Sequence, residues 1–204
     1  MRNNRVQLAD WRRQVAEMYS TIRQLDPEPG WHVFKRQRDV LFRTHPQSPL
    51  PKPDRHQFGG LEYFPYDPQW RLIVPLEPPS SPSTTDIDLG SDGNFRLTEI
   101  GQVVIRSDAS LSLFWVEGYG GGLFLPFADA TNNVTTYGGG RYLLDGIKGV
   151  DLGAQKEHLI LDFNFAYNPS CVYDERWVCP LAPEQNRLPF SVNAGEQAYL
   201  PVPT

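Results

Sequence analysis

Apolar residues near the N-terminus recur with the spacing of a helix. Between residues 6 and 25, five of them lie three or four positions apart and share one face: Trp11, Val15, Met18, Ile22 and Leu25. An isolated helix gains little stability from its own propensity, so such a stripe has to be covered. We therefore predict a helical arm that packs against protein, either the body of the same chain or that of a second copy.

A second helix is predicted from Trp31 to Thr44, with three apolar residues on its buried side: Phe34, Leu41 and Phe42. Two prolines and a glycine in residues 26–30 cannot continue a helical hydrogen-bond ladder, so this segment separates the two helices. Residues 46–53 are rich in proline and are expected to form an extended strap that leads to the rest of the chain.

From Phe58 onward the apolar period changes to two, which is typical of strands. The predicted strands are 70–76 at a sheet edge, 95–98 and 103–106 as a hairpin, 111–116 and 123–127 as a central pair, 158–167, and 188–192 near the end. Residues 78–93 are rich in Pro, Ser, Thr and Asp and are predicted to be a long loop.

This pattern contains no alternation of strands with helices. It predicts a mainly β fold of the α+β class, an antiparallel β-barrel or sandwich with two N-terminal helices. The arm, residues 1–45, and the β-rich core, residues 46–204, are expected to form one folding unit.

Composition fits an ordinary globular domain, with 40% hydrophobic and 21% charged residues in a chain of 204. No apolar run is long enough to span a membrane, and no signal segment is recognisable, so we expect a soluble, cytoplasmic protein. Residues 1–55 hold 11 Lys and Arg against 6 Asp and Glu, whereas the remainder holds 8 against 18. The basic residues are mixed with acids and accompany no nucleic-acid motif, so neither nucleic acid nor membrane is predicted as a partner.

Six segments follow one another in the order found in a known family: residues 38–50 (RDVLFRTHPQSPL), 58–65 (FGGLEYFP), 127–143 (FADATNNVTTYGGGRYL), 161–171 (LDFNFAYNPSC), 179–188 (CPLAPEQNRL) and 194–196 (AGE). With these segments the chain resembles domain of unknown function 1684, found in bacteria and archaea. The resemblance implies one intact domain. The family has no established activity, so the resemblance implies no reaction.

Three consecutive glycines followed by Arg141 form the first candidate site. Such glycines let backbone N–H groups converge on an anion, and a guanidinium adds a planar fork for carboxylate or phosphate. The alternative is a turn that needs positive φ, with Arg141 solvated or paired with a carboxylate. On the first interpretation, Tyr137, Gly139, Gly140 and Arg141 are ligand-binding residues.

The polar face of the strand 158–167 is the second candidate. Period two places His158, Asp162 and Asn164 on one side, where they could bind a substrate or move a proton. Alternatively this face simply meets solvent. If the chain around Arg141 pairs with this strand, Arg141 lies close to Asp162, either as its ion-pair partner or free to hold an anion.

Cys171 and Cys179 bracket a polar turn that could bring their sulfur atoms together. Two thiols cannot complete a zinc site, and no histidine pair lies nearby at ligand spacing, so no metal site is predicted. Buried structural thiols are the first interpretation, followed by a disulfide and then by a redox function. In a reducing cytoplasm we expect both to be free thiols.

These patterns favour a domain that binds a small, anionic ligand in a polar concavity. Two alternatives stay open. One is an enzyme that uses the same concavity, with Asp162 or His158 as the base. The other is a structural or interaction protein that assembles, for example as a homo-oligomer, through its helical arm. The sequence identifies no cofactor and assigns no catalytic residue.

Overall fold

Two helices come first, as the apolar spacing predicts. The computed structural model describes residues 4–79, 83–88 and 94–200, with helix α1 at Asn4–Ile22 and helix α2 at Pro27–Thr44. Helix α2 begins four residues earlier than predicted, because a proline is tolerated in the first turn, where its missing N–H has no helical partner.

The apolar stripe of α1 packs on the same chain. Val15, Met18 and Ile22 are buried in a cluster that also holds residues of α2 and of the strands, and Trp11 packs partly against it. Leu25 lies beyond the end of the helix and is 41% exposed. The prediction that this stripe is covered by protein is met within one chain, so the stripe itself offers no argument for a homo-oligomer.

Among the described residues, eight strands form two antiparallel sheets. The strands are β1 Arg71–Val74, β2 Thr84–Asp88, β3 Asn94–Arg106, β4 Ala109–Val116, β5 Gly122–Phe127, β6 Arg141–Asp145, β7 Ala154–Gln155 and β8 His158–Asp162. One sheet has the order β2-β3-β4-β5-β6 and the other the order β1-β8-β7. The predicted fold class, mainly β with two N-terminal helices, is confirmed. The two sheets do not close into a barrel.

Two predictions around β3 are wrong. The predicted hairpin is one long strand, interrupted by a register shift between Glu99 and Gly101. Gly101 permits close approach rather than a turn, since a Cβ there would lie 2.6 Å from the carbonyl oxygen of Glu77. The predicted loop 78–93 contains β2, which pairs with the start of β3. Its residues 80–82 and 89–93 lie outside the described part of the chain.

The strand predicted at 158–167 is shorter than expected. It ends at Asp162, whose side chain accepts the N–H of Asn164 and opens a 3-10 turn at Phe163–Phe165. Residues 188–192 form no regular strand. They pass the end of β5 and are joined to the residues after it by isolated backbone hydrogen bonds, including one from the N–H of Leu188 to the carbonyl of Ala128.

The five-stranded sheet is covered on both faces. One hydrophobic cluster joins the two helices to side chains of that sheet such as Phe114 and Phe124. A second cluster joins the opposite face, through Leu111 and Leu113, to the three-stranded sheet. Strand β4 is therefore central and buried on both faces, as its continuous apolar run predicts.

We expect the helices to unfold together with the sheets. Phe34 of α2 is fully buried and contacts the rings of Tyr19, Tyr63 and Phe165, which come from three other parts of the chain. Phe34→Ala should lower the free energy of unfolding by about 3–5 kcal/mol, measured by denaturant titration. The matched control is Val40→Ala on the same helix, 50% exposed, with an expected change within about 0.5 kcal/mol. Equal midpoints for the two variants would mean that the helices dock only loosely.

Candidate functional site

Arg141 opens β6 and is 1% exposed. Its Nη2 atom donates to the Asp129 carboxylate at 2.9 Å and to the carbonyl of Val192, while Nη1 donates to the carbonyls of Ala194 and Glu196. Burial lowers the pKa of Arg141, and the negative charge of Asp129 opposes that effect. The guanidinium therefore ties β6 to the C-terminal segment of the chain.

The glycines before Arg141 allow close packing. Gly140 has a φ of +91°, and a Cβ there would lie 2.5 Å from the carbonyl oxygen of Phe127. A Cβ on Gly139 would meet the rings and methyl groups of Tyr137 and Leu181. The N–H of Gly140 donates to the carbonyl of Tyr137, so the turn itself uses this donor.

Asp162 and Asn164 are buried near the end of β8, whereas His158 is exposed at its start. The Asp162 carboxylate accepts two hydrogen bonds from Asn164 and lies 3.5 Å from Arg71. Asn164 also exchanges two hydrogen bonds with the backbone of Asp67. Burial raises the pKa of Asp162, against the opposing effect of these partners.

The structure does not bring Arg141 and Asp162 together as an ion pair. Strands β6 and β8 belong to different sheets, and each of these residues has another partner, Asp129 and Arg71 respectively. A single bridge between Tyr142 and Tyr167 joins the two regions. The contacts of Arg141 favour a clamp, and a ligand-binding role for the seven predicted residues stays a prediction.

Removing the Arg141 side chain should distinguish the clamp from a binding site. Arg141→Ala leaves the Asp129 carboxylate buried without its counterion, so we expect a loss of about 3–5 kcal/mol in the free energy of unfolding. The control is Arg96→Ala, which breaks an exposed ion pair with Asp86 and should cost about 0–1 kcal/mol. If Arg141→Ala unfolds like the wild type, the clamp is refuted.

A cleft of about 90 Å³ lies between α1 and the rest of the molecule. Its walls are largely apolar, formed by Trp11, Val15, Met18, Leu41, Phe42 and Val150. The described residues that line it include three cationic side chains, Arg12, Arg38 and Lys148, and no acidic one. Arg38 is paired at 2.8 Å with Glu196 and Lys148 at 2.8 Å with Asp145, so both counterions lie behind the lining.

Two buried polar atoms of this lining lack hydrogen-bond partners among the residues that the structure describes. They are the hydroxyl of Tyr19, on α1, and Oδ1 of Asn168. The amide of Asn168 has a fixed orientation, because its Nδ2 donates to two acceptors, the carboxylate of Glu196 and the carbonyl of Gln197. Burial raises the pKa of Tyr19, so the hydroxyl keeps its proton. Leaving such an atom unpaired costs about 1–3 kcal/mol, so a donor or acceptor placed beside it would be stabilising.

Sequence reasoning missed these cleft residues. Tyr19 follows Met18 on the buried face of α1, and a hydroxyl on that face is a signal that could have drawn attention to it. Asn168 precedes Pro169, and an asparagine before a proline is typical of a turn cap. The orientation of its amide depends on Glu196, and sequence spacing does not reveal that contact.

Residues 4–79, 83–88 and 94–200 contain neither a candidate metal site nor a candidate membrane span. Within these ranges no group of three or more His, Cys, Asp and Glu side chains is placed to hold a metal ion. No helix there combines the length and apolar character that crossing a membrane requires.

Two helices and two antiparallel sheets define an α+β domain in which sheet predominates. The chain belongs to the family described as protein of unknown function (DUF1684), whose model matches residues 56–197. The resemblance predicted from the six segments is confirmed, although the family model begins after both helices.

The chain is also similar to an uncharacterised protein of Haloarcula marismortui, whose structure was determined by solution NMR. The two are 33% identical, the similarity covers 83% of this chain and 93% of the other, and the TM-score is 0.57. No curated protein matches this chain. Its function therefore has to be inferred from its own residues.

Proposed function

We propose that this protein binds a small organic anion in the cleft beneath α1. The observation that carries the proposal is a pair of polar atoms without hydrogen-bond partners among the described residues, Tyr19 Oη and Asn168 Oδ1, in residues that line a mostly apolar cleft without acidic side chains. Ligand sites commonly combine apolar walls with a few polar groups that set orientation.

The charge of the lining supports an anionic ligand. Arg12, on the exposed face of α1, has no ion pair among the described residues, and Arg38 and Lys148 add two further cations. An anion in the cleft would meet no acidic side chain of the lining. A cation there would be repelled by Arg12, whereas the charges of Arg38 and Lys148 are largely offset by Glu196 and Asp145.

The two unpartnered atoms determine which hydrogen-bonding groups the ligand needs. Asn168 Oδ1 can only accept, so the ligand must donate to it through a hydroxyl or an N–H group. The Tyr19 hydroxyl can donate to an oxygen of the same ligand.

Size and shape complete the description of the ligand. Trp11, Met18 and Phe42 in the walls would contact an apolar portion of the ligand. The cleft volume of about 90 Å³ suits several water molecules or one short organic molecule. A short-chain hydroxy acid meets all of these requirements.

The proposal is tested by thermal denaturation with three matched sets of compounds. They are propionate, butyrate and valerate, their 2-hydroxy derivatives, and the neutral amides of those derivatives. We expect the hydroxy acids to raise the melting temperature most, because only they combine a carboxylate with a donor for Asn168. A ligand at a hundred times its Kd stabilises the native state by about 2.7 kcal/mol. If no compound shifts the melting temperature, water alone fills the cleft and the proposal fails.

Tyr19→Phe separates a binding role from a structural one. The variant removes a hydroxyl that has no hydrogen-bond partner within the described part of the chain, so stability should be unchanged or increased. Calorimetry should show the hydroxy acid binding about fivefold more weakly, the equivalent of one hydrogen bond of about 1 kcal/mol. Tyr119→Phe, at a fully exposed tyrosine, is the control and should bind like the wild type. Equal affinity in both variants would exclude Tyr19 from the site.

A further inference from the structure

Arg38 contributes a buried guanidinium to the lining of the cleft. It lies on α2, is 8% exposed and is one of the residues that line the cleft. Its Nε donates to the hydroxyl of Tyr63 at 3.0 Å, and its Nη2 donates to the carboxylate of Glu196 at 2.8 Å. The N–H groups of Nη1 have no acceptor within the described part of the chain, so they can donate to an acceptor in the cleft.

The guanidinium of Arg38 is held in one orientation. The rings of Phe34, Phe42 and Tyr167 pack against it, with their centres 5.3, 5.1 and 4.9 Å from its central carbon. A planar group that is already fixed by ring contacts and hydrogen bonds loses little freedom when it binds a ligand. Nη1 is therefore a preformed donor, although Glu196 offsets much of the charge of the guanidinium.

Asn168 lies beside this guanidinium, because both residues bind the same carboxylate. Nη2 of Arg38 and the backbone N–H of Asn168 donate to Oε2 of Glu196, and Nδ2 of Asn168 donates to Oε1. Nη1 of Arg38 can only donate, and the unpartnered Oδ1 of Asn168 can only accept. Two neighbouring residues of the lining thus provide one donor and one acceptor.

We propose that Arg38 and Asn168 select carboxylates that carry a hydroxyl group on the adjacent carbon. The inference rests on the proposed ligand site and assigns its specificity. One carboxylate oxygen accepts from Nη1 of Arg38, and the hydroxyl donates to Oδ1 of Asn168. The two ligand groups have to be close neighbours, because the residues that bind them flank one carboxylate of the protein. A hydroxyl at the far end of the carbon chain would leave Oδ1 unpaired.

Tyr19 supplies a second donor for the carboxylate of the ligand. Its ring centre lies 6.0 Å from that of Phe34, the same ring over which the guanidinium of Arg38 lies. Its hydroxyl has no hydrogen-bond partner among the described residues. In the proposed complex this hydroxyl donates to the second carboxylate oxygen, so that each polar group of the ligand is paired.

Arg12 has a different role in this arrangement. It lines the cleft, is exposed and forms no ion pair with another described residue. An exposed charge attracts every carboxylate alike, and salt screens this attraction. The buried donor and acceptor act at short range, so their effect depends on the position of the hydroxyl in the ligand. That position therefore tests Arg38 and Asn168 separately from Arg12.

Two isomers of hydroxybutyrate test the inference on the wild-type protein. The 2-hydroxy and 4-hydroxy isomers have the same charge and composition, and calorimetry at about 0.05 and 0.5 M salt gives their affinities. We expect the tighter enantiomer of 2-hydroxybutyrate to bind at least about fivefold more tightly than 4-hydroxybutyrate, as one hydrogen bond requires, at both salt concentrations. Equal affinities, or a preference for the 4-hydroxy isomer, would overturn the inference and leave the proposed function standing. If neither isomer binds, both fail.

Three variants separate the buried donor from the exposed cation. Arg38→Lys leaves no nitrogen at the position of Nη1, so the preference for the 2-hydroxy isomer should fall below about twofold. Arg12→Gln should weaken both isomers by a similar factor and keep their ratio. Arg13→Gln, with the same change in net charge at a residue paired with Asp10, is the control and should bind like the wild type.

The ratio of the two affinities decides the assignment. A full ratio in a folded Arg38→Lys protein, or loss of the ratio in Arg12→Gln, would contradict the role given to Arg38. Thermal denaturation of each variant shows whether it is folded. If Arg38→Lys does not fold, the wild-type comparison of the two isomers and the Arg12→Gln ratio still decide the inference.

Discussion

The buried carboxylate of Glu196 is the constraint on which both the cleft and the cysteine loop, residues 171–179, depend. It is 1% exposed and accepts hydrogen bonds from Arg38 on α2, from the backbone and amide of Asn168, and from the hydroxyl of Tyr173 in the cysteine loop. Burial raises the pKa of Glu196, and these donors oppose that effect. Because these donors come from α2 and from residues 168–173, one side chain joins these two regions of the chain.

The proposed ligand site follows from this arrangement. With its Nδ2 held by Glu196, Asn168 turns Oδ1 away from the carboxylate and leaves it unpaired in the lining of the cleft. Three residues later, Cys171 begins the loop that Tyr173 anchors to the same carboxylate. Ser170 and Trp177 of this region also line the cleft, so a change in the loop alters the rim of the ligand site.

Much of the fold could be predicted because it is encoded locally. The stripe from Trp11 to Ile22 is predicted by its helical period and β4 by its continuous apolar run, because both depend on near neighbours along the chain. The hairpin expected at Glu99–Gln102 failed because a glycine there signals close backbone approach as well as a turn. The contacts of the candidate site could not be predicted from near neighbours. The choice of Asp129 as partner of Arg141, and the missing partner of Asn168, depend on contacts between segments distant in sequence.

The most direct test of this account is the free energy of unfolding of Glu196→Gln, measured by denaturant titration. The substitution keeps the shape of the side chain but leaves the Arg38 guanidinium buried without a counterion and turns an N–H₂ group toward other donors. We expect a loss of about 3–5 kcal/mol, against less than about 0.5 kcal/mol for Glu62→Gln, an exposed neighbour in the fold. A Glu196→Gln protein as stable as the Glu62→Gln control would contradict the central role of this carboxylate.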